Sequence, residues 1–314
     1  MTIFIDNNYM SLFRRFLTTK LIISFLLATI LLGCSTVRFA YNQGDTLTYW
    51  WLDDHIGFNQ VQEPLIRGSL ERHFWWHRTE QLPEISGALQ RAQQKLQAPI
   101  SKSEFLILRA EFQKYAYKIA DEIIPDTAKL LISLDASQIE TMQKRINKNN
   151  QKFKNEYLPK DKNKQATVRA NKIIERAEWL YGSLNSAQES KIREFLLKNP
   201  IDAEIAFEQK LRRQSEFIAI CKEIQQLKLS QKATEVLLRD YMKHFESGKN
   251  KEQQAFHKKW VESGAETASF ISSVVNEEQN KHASEKIGGW VADVQELIKD
   301  STVLAAKRSA HLNR

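Results

Sequence analysis

Residues 101–124 read SKSEFLILRAEFQKYAYKIADEII. Phe105, Leu108, Phe112, Tyr115, Ile119 and Ile123 recur three or four apart, which marks one face of an α-helix and no face of a strand. Ser101 and Glu104 stand where a capping box needs them: the hydroxyl accepts the N3 amide and the glutamate reaches back. Pro125 has no N–H to give the ladder, so an interruption is expected there. The same period recurs on both sides of this stretch. Upstream, Val61, Leu65, Ile66, Leu70, Phe74 and His77 trace a helix over 60–82, expected to end before Pro83 because a residue preceding proline avoids the helical region. Ile85, Leu89, Ala92 and Leu96 give another. Downstream, Ile139–Tyr157, Ala170–Leu184, Ala187–Lys198, Phe207–Ile224, Ala233–Phe245, Phe256–Val274 and Ile287–Ile298 carry the same spacing. No stretch sustains period-two alternation. Only ten glycines and six prolines occur in 314 residues, so there is little material for hairpins. The expected fold class is all-α: a multi-helix antiparallel bundle or array with short loops.

The amino end differs from the rest. Leu21–Leu32 is a twelve-residue apolar run after Arg14, Arg15 and Lys20, too short to span a bilayer, where ~20 residues are needed. With Gly33 before Cys34 it reads as a secretory signal. Leu31-Leu32-Gly33-Cys34 resembles a bacterial lipobox, with Leu32 larger than is usual there. The resemblance implies cleavage before Cys34 and acylation of that cysteine. It also implies residues 1–33 as signal peptide and 34–314 as the anchored periplasmic domain. Ser35, not Asp, favours sorting to the outer membrane. The expected location is therefore the periplasmic face of the outer membrane, with the membrane itself as a partner through lipid on Cys34.

The formal net charge is +8. Loss of Arg14, Arg15, Lys20 and Asp6 with the signal leaves a modest basic excess, which speaks to solubility rather than fold. No Lys/Arg run looks like a nucleic-acid footprint, so no nucleic acid is expected. Lys144–Lys164 is polar and basic and reads as a protruding hairpin, either a solvated tip or an anion-facing patch. Cys221, the second of two cysteines, has no partner once Cys34 is acylated, and its helical setting reads as a small core hydrophobe.

Three features bear on function. Thr36–Asp53 carries Val37, Tyr41, Gly44, Thr48 and Trp51 at helical spacing. That helix either lies on the membrane with Trp50 and Trp51 at the head groups or packs as the first core helix; packing is expected, since lipid already supplies the anchor. His73 and His77 are four apart on one helix face, a spacing that suits a metal, with Glu71, Asp53, Asp54 and His55 as further candidates. Phe74 stands where a zincin needs Glu, so no metal and no cofactor are expected. Trp50-Trp51 and Trp75-Trp76 cannot each bury both rings on one narrow stripe. An aromatic groove flanked by Arg72 and Arg78 is the candidate binding surface for extended polypeptide or glycan.

Leu134-Asp135-Ala136-Ser137-Gln138 and Leu184-Asn185-Ser186-Ala187-Gln188 share one shape, an apolar residue, a capping residue and a glutamine at N3. Leu229-Ser230-Gln231-Lys232-Ala233 is a degraded copy. The pattern resembles the Leu-Thr-x-x-Gln repeat of Spy-type periplasmic chaperones, and generic helix capping accounts for the same letters. A broader resemblance rests on Tyr41-Asn42-Gln43, Asp45, Leu47, Tyr49-Trp50-Trp51-Leu52-Asp53, Trp76-His77-Arg78 and Gln81-Leu82-Pro83. These residues are similar to an uncharacterised family of proteobacterial lipoproteins, which implies a lipoprotein with no activity to carry over. No Gly-x-Ser-x-Gly, phosphate loop or dinucleotide fingerprint occurs. The expectation is a non-enzymatic, protein-binding lipoprotein, chaperone-like or concerned with envelope assembly, with a client in the periplasm. The alternatives are a metal-dependent hydrolase using His73 and His77 and a passive glycan- or lipopolysaccharide-binding protein.

Overall fold

The period that begins at residue 101 is realised as helix in the computed structural model, which describes residues 36–312. The lipobox reading of residues 21–34 lies outside them. No strand occurs among the described residues, and the architecture is an antiparallel array of helices. Helix α1 is Thr36–Asn42, within a contact unit that ends at Gly44; a second unit begins at Asp45. The chain continues through α2 (Gly44–Ile56), α3 (Gln62–Trp76), a π turn (His77–Gln81) and α4 (Leu82–Lys95). The long α5 (Lys102–Ser133) is followed by α6 (Ala136–Tyr157), α7 (Lys162–Tyr181) and α8 (Ser186–Lys198). Last come α9 (Ala203–Leu227), α10 (Gln231–His244), α11 (Lys251–Val274) and α12 (Glu277–Leu312).

Two prolines do less than expected. Helix α5 runs straight past Pro125. A proline inside a helix costs about 3 kcal/mol. Here that cost is offset by Ile124, Ala128 and Leu131, all buried on the same face. Leu82 also stays helical before Pro83, at φ −57° and ψ −36°. The π turn explains it. The Leu82 N–H donates five residues back to the His77 carbonyl, and the extra residue opens the space a proline ring needs beside the preceding turn. At the other end of the scale, Gly248 is demanded by its surroundings. It sits at φ +75°, and an added Cβ would fall 2.6 Å from the Cβ of Gln253, the residue that completes the α11 capping box with Asn250.

Two apolar clusters form the interior. One gathers Ile56, Ile124, Leu131, Leu134, Ile139, Ile218, Cys221, Ile224 and Leu238 from α2, α5, α6, α9 and α10. The other gathers Leu96, Ile100, Ala170, Ile174, Tyr181, Ile192, Ile271, Val275, Ala283 and Ile287 from α4, α7, α8, α11 and α12. A fully buried residue such as Ile192 or Ile224 contributes about 2 kcal/mol. The chain visits the first cluster, crosses to the second, and crosses back and forth again.

Each cluster is closed by a pair of helix corners. The expected capping boxes form: Asp135 with Gln138 and Asn185 with Gln188. Ser230 caps α10 without a box, because its N3 position holds Ala233. Two further corners use the same letters, Phe58-Asn59-Gln60-Val61-Gln62 and Val275-Asn276-Glu277-Glu278-Gln279. In both, the Asn side chain accepts the Gln backbone N–H and the Gln side chain accepts the Asn N–H, at 2.9–3.1 Å.

The four glutamines are buried, and they pair. Gln138 Nε2 donates to the Gly57 carbonyl and to Gln62 Oε1, both at 2.7 Å. Gln62 Nε2 returns bonds to the Ser133 carbonyl at 2.9 Å and to Gln138 Oε1 at 3.1 Å. The second pair repeats the geometry. Gln188 Nε2 donates to the Val274 carbonyl at 2.9 Å and to Gln279 Oε1 at 2.7 Å. Gln279 Nε2 donates to the Ser183 carbonyl at 2.7 Å and to Gln188 Oε1 at 3.1 Å. In all four cases the carbonyl lies two residues before the partner's capping residue. A glutamine amide at each corner thus satisfies its own helix start and locks the facing one.

Candidate functional site

Helix α2 has a face turned inward and a face turned out. Tyr49 and Ile56 are buried. The Tyr49 ring lies under the Arg67 guanidinium, 3.5 Å from its centroid, and beside Phe58. Asp53 closes the helix by accepting the Phe58 N–H at 2.8 Å. Leu47, Trp50 and Trp51 occupy the opposite face, with the two indoles 59% and 60% exposed. The expected stripe ending in Trp51 is therefore not the buried one. Position 49 carries the contact with α3, and a ring packed there leaves its two tryptophan neighbours about 100° and 200° away around the helix. The Trp51 ring is shelved on His55, with centroids 4.3 Å apart, and His55 Nδ1 lies 2.8 Å from the Trp51 carbonyl. At the corner that follows, Val61 and Leu65 are exposed as well.

The second tryptophan pair is placed differently. Trp75 and Trp76 are half-buried at the end of α3, where Thr79 Oγ1 donates to the Trp75 carbonyl at 3.1 Å. Arg78 is half-buried in the π turn. Arg72 does not stand free at a groove: it donates to Asp126 at 2.8 Å and to Ser69 at 3.0 Å. His73 Nε2 lies 3.2 Å from the same Asp126 carboxylate, and Lys129 reaches its other oxygen at 2.9 Å. Burial pushes the Asp126 carboxyl up, but hydrogen bonds from Lys129, Arg72 and Ser69 outweigh it and hold it well below the usual carboxylate range. The partner of His73 is thus a residue of α5 that sequence spacing does not connect to it.

The other candidates near His73 are engaged elsewhere. Asp54 pairs with Arg145, and Asp53 accepts the Phe58 N–H. His77 is half-buried in the π turn, and burial alone depresses its imidazole pKa. Among the described residues, no three of the His, Cys, Asp and Glu side chains come together as a metal site. Cys221 is buried in the first cluster, where burial pushes its thiol up to about 12. A thiol so far from ionising is no nucleophile.

The basic stretch over residues 144–164 is the end of α6, a short loop and the start of α7. It is not wholly solvated. Phe153 stacks on Tyr157 and Phe207, and the Lys210 ammonium lies 4.2 Å from the Phe153 ring centre. No helix among the described residues is long and apolar enough to cross a membrane.

A model described as a family of unknown function, DUF6279, matches residues 54–253, from the end of α2 to the start of α11. No curated protein and no solved structure matches the chain.

Proposed function

We propose that this chain, which belongs to the DUF6279 family of unknown function, is an outer-membrane lipoprotein whose helical domain binds other proteins without transforming them. The observation that carries the reading is the outward face of α2: Leu47, Trp50 and Trp51 exposed together on a helix otherwise packed through Tyr49 and Ile56. Adjacent exposed indoles on a firmly held helix offer large apolar contact area at little entropic cost, the property that extended polypeptide selects. The lipobox pattern ending at Cys34 supports a tether a short way upstream; each buried methylene adds about 0.8 kcal/mol, so two or three chains hold. The Leu-Thr-x-x-Gln resemblance supports a chaperone-like or envelope-assembly role. The side chains brought together on α3 and α5 around Asp126 pair with one another and tie the two helices.

The test has two arms. Mass spectrometry of the protein from membranes should find Cys34 as an acylated first residue; an unprocessed, unacylated amino end overturns the tether. Suppression of aggregation of a denatured client should drop sharply in the double variant Trp50→Ala/Trp51→Ala, with helicity and melting unchanged. Undiminished suppression overturns the binding face. A second reading draws on the same exposure: the indoles sit at the membrane interface beside the tether. It expects a blue shift of tryptophan fluorescence on anionic vesicles that the double variant lacks.

A further inference from the structure

A cavity of about 280 Å³ opens between α5, α9, the end of α10 and α11. It lies apart from the α2 face, and nothing in the reading of that face uses it. Its lining combines three aromatic rings, Phe245, Phe256 and Trp260, with the polar side chains of Arg109, Arg213, Glu246 and His257.

The charges in this wall do not balance. Glu246 is its one carboxylate, and its Oε2 is already engaged. Its Oε2 accepts from Arg109 at 2.6 Å and from Gln113 at 2.8 Å, and His257 Nε2 lies 3.7 Å away. Arg212, next to Arg213 in the chain, is occupied too, by Glu216 and by the Phe245 carbonyl. Arg213 has no carboxylate within ion-pairing distance among the described residues. Its guanidinium lies 5.3 Å from the centre of the Phe245 ring. Burial, then the neighbouring Arg212, depress its pKa and outweigh the opposing pull of Tyr241, Glu246 and Glu216. The His257 imidazole is likewise depressed, first by burial and then by Arg109 and Arg213, against the opposing pull of Glu246. It is therefore neutral at neutral pH and able to hydrogen-bond a ligand in either sense.

A half-buried guanidinium without its anion is costly unless something supplies the anion. A planar carboxylate meets the guanidinium fork in two parallel hydrogen bonds. The aromatic rings of the lining want an apolar body, and the volume sits at the small end of ligand pockets, room for a single ring or a short branched chain. We infer that this cavity binds a small organic carboxylate with an aromatic or compact apolar body, its carboxylate on Arg213 and its body against Phe256 and Trp260.

Phenylacetate is a suitable probe and phenylacetamide its neutral counterpart, both titrated into the purified full chain by calorimetry and tryptophan fluorescence. Phenylacetate should bind saturably and the amide about tenfold more weakly or worse. Arg213→Met should weaken phenylacetate by at least about tenfold and leave the amide as it was. Should that variant fail to fold, Trp260→Ala, an exposed-side truncation, decides: it should lose affinity for both compounds alike. Equal binding of acid and amide, no saturable binding by the unaltered chain, or affinity untouched by either folded variant overturns the site.

Discussion

Among the described residues five glutamines are buried, and they live in two kinds of place. Gln62, Gln138, Gln188 and Gln279 sit at helix corners, where every amide group meets a partner. Gln81 sits at the end of the π turn, fully buried, with no hydrogen-bond partner for either amide atom among the described residues. The same side chain is a structural clasp in one setting and an uncompensated polar group in the other. Burial does not decide what a polar residue contributes; the completeness of its bonding does. The corner pairs are also where each apolar cluster ends, so they set which helices meet. The π turn packs on α12 beside α4 and selects nothing through Gln81.

The largest effect expected from this contrast is at the corners. Gln138→Ala strands the Asp135 N–H and the Gly57 carbonyl, and takes one partner from each amide atom of Gln62. With each stranded group costing about 1–3 kcal/mol, the variant should lose about 3 kcal/mol of unfolding free energy in denaturant titration. Gln188→Ala should do the same for the other cluster. The pair Gln62→Ala with Gln138→Ala should cost less than the two singles added together, by about 1–2 kcal/mol, because each single change already breaks both bonds that join the two amides. Strict additivity would mean that the two amides do not lean on each other. A single change costing under about 0.5 kcal/mol would place the clasp among ordinary surface contacts.

How much of this could be read from the letters depends on distance along the chain. The helices were legible because periodic spacing is local: Phe105 to Ile123 announces α5 without reference to anything else. So were the boxes at Asp135 and Asn185, whose two bonds lie within four residues. That Gln138 also grips Gln62 was not, since the partner is 76 positions away. The signal existed all the same, because Phe58–Gln62 and Val275–Gln279 repeat the spelling of the recognised corners. Pro125 shows the opposite failure. A sound local rule predicted a break, and the burial of Ile124, Ala128 and Leu131 overruled it. The candidate site was half legible. Exposed indoles follow from two adjacent tryptophans on one helix, but Arg72 was assigned to a groove because its real partner, Asp126, belongs to another helix 54 positions on.

A middle-sized effect is expected at the other pole of the comparison. Gln81→Met keeps the length and flexibility of the side chain and removes the polar atoms that find no partner. The π turn should become more stable, by about 1 kcal/mol, where the same change at position 138 is strongly destabilising. Opposite signs for one substitution at two buried glutamines would be the cleanest statement of the contrast. A loss at position 81 comparable to that at 138 would mean that the Gln81 amide is held after all, and the distinction between the regions would dissolve.

The smallest effect concerns His77, which opens the π turn. Burial depresses its pKa below the ordinary 6.5, so the folded state resists a proton that the unfolded chain accepts. The sign follows from linkage. Above 6.5 both states are neutral and the contribution to stability is fully present; as pH falls through the unfolded value toward the lower folded one, the unfolded chain takes up the proton first and stability is lost. The chain holds seven histidines, and His257 shifts in the same direction, so the whole-protein profile cannot be assigned to one ring. The difference between the unaltered chain and His77→Phe can. That variant should lose less stability than the unaltered chain between about pH 7.5 and pH 5. Equal losses would mean that the imidazole at the turn reaches solvent in the folded state. The π turn would then be an open bend in the chain rather than a buried and poorly compensated one, and Gln81 would have to be judged again in that light.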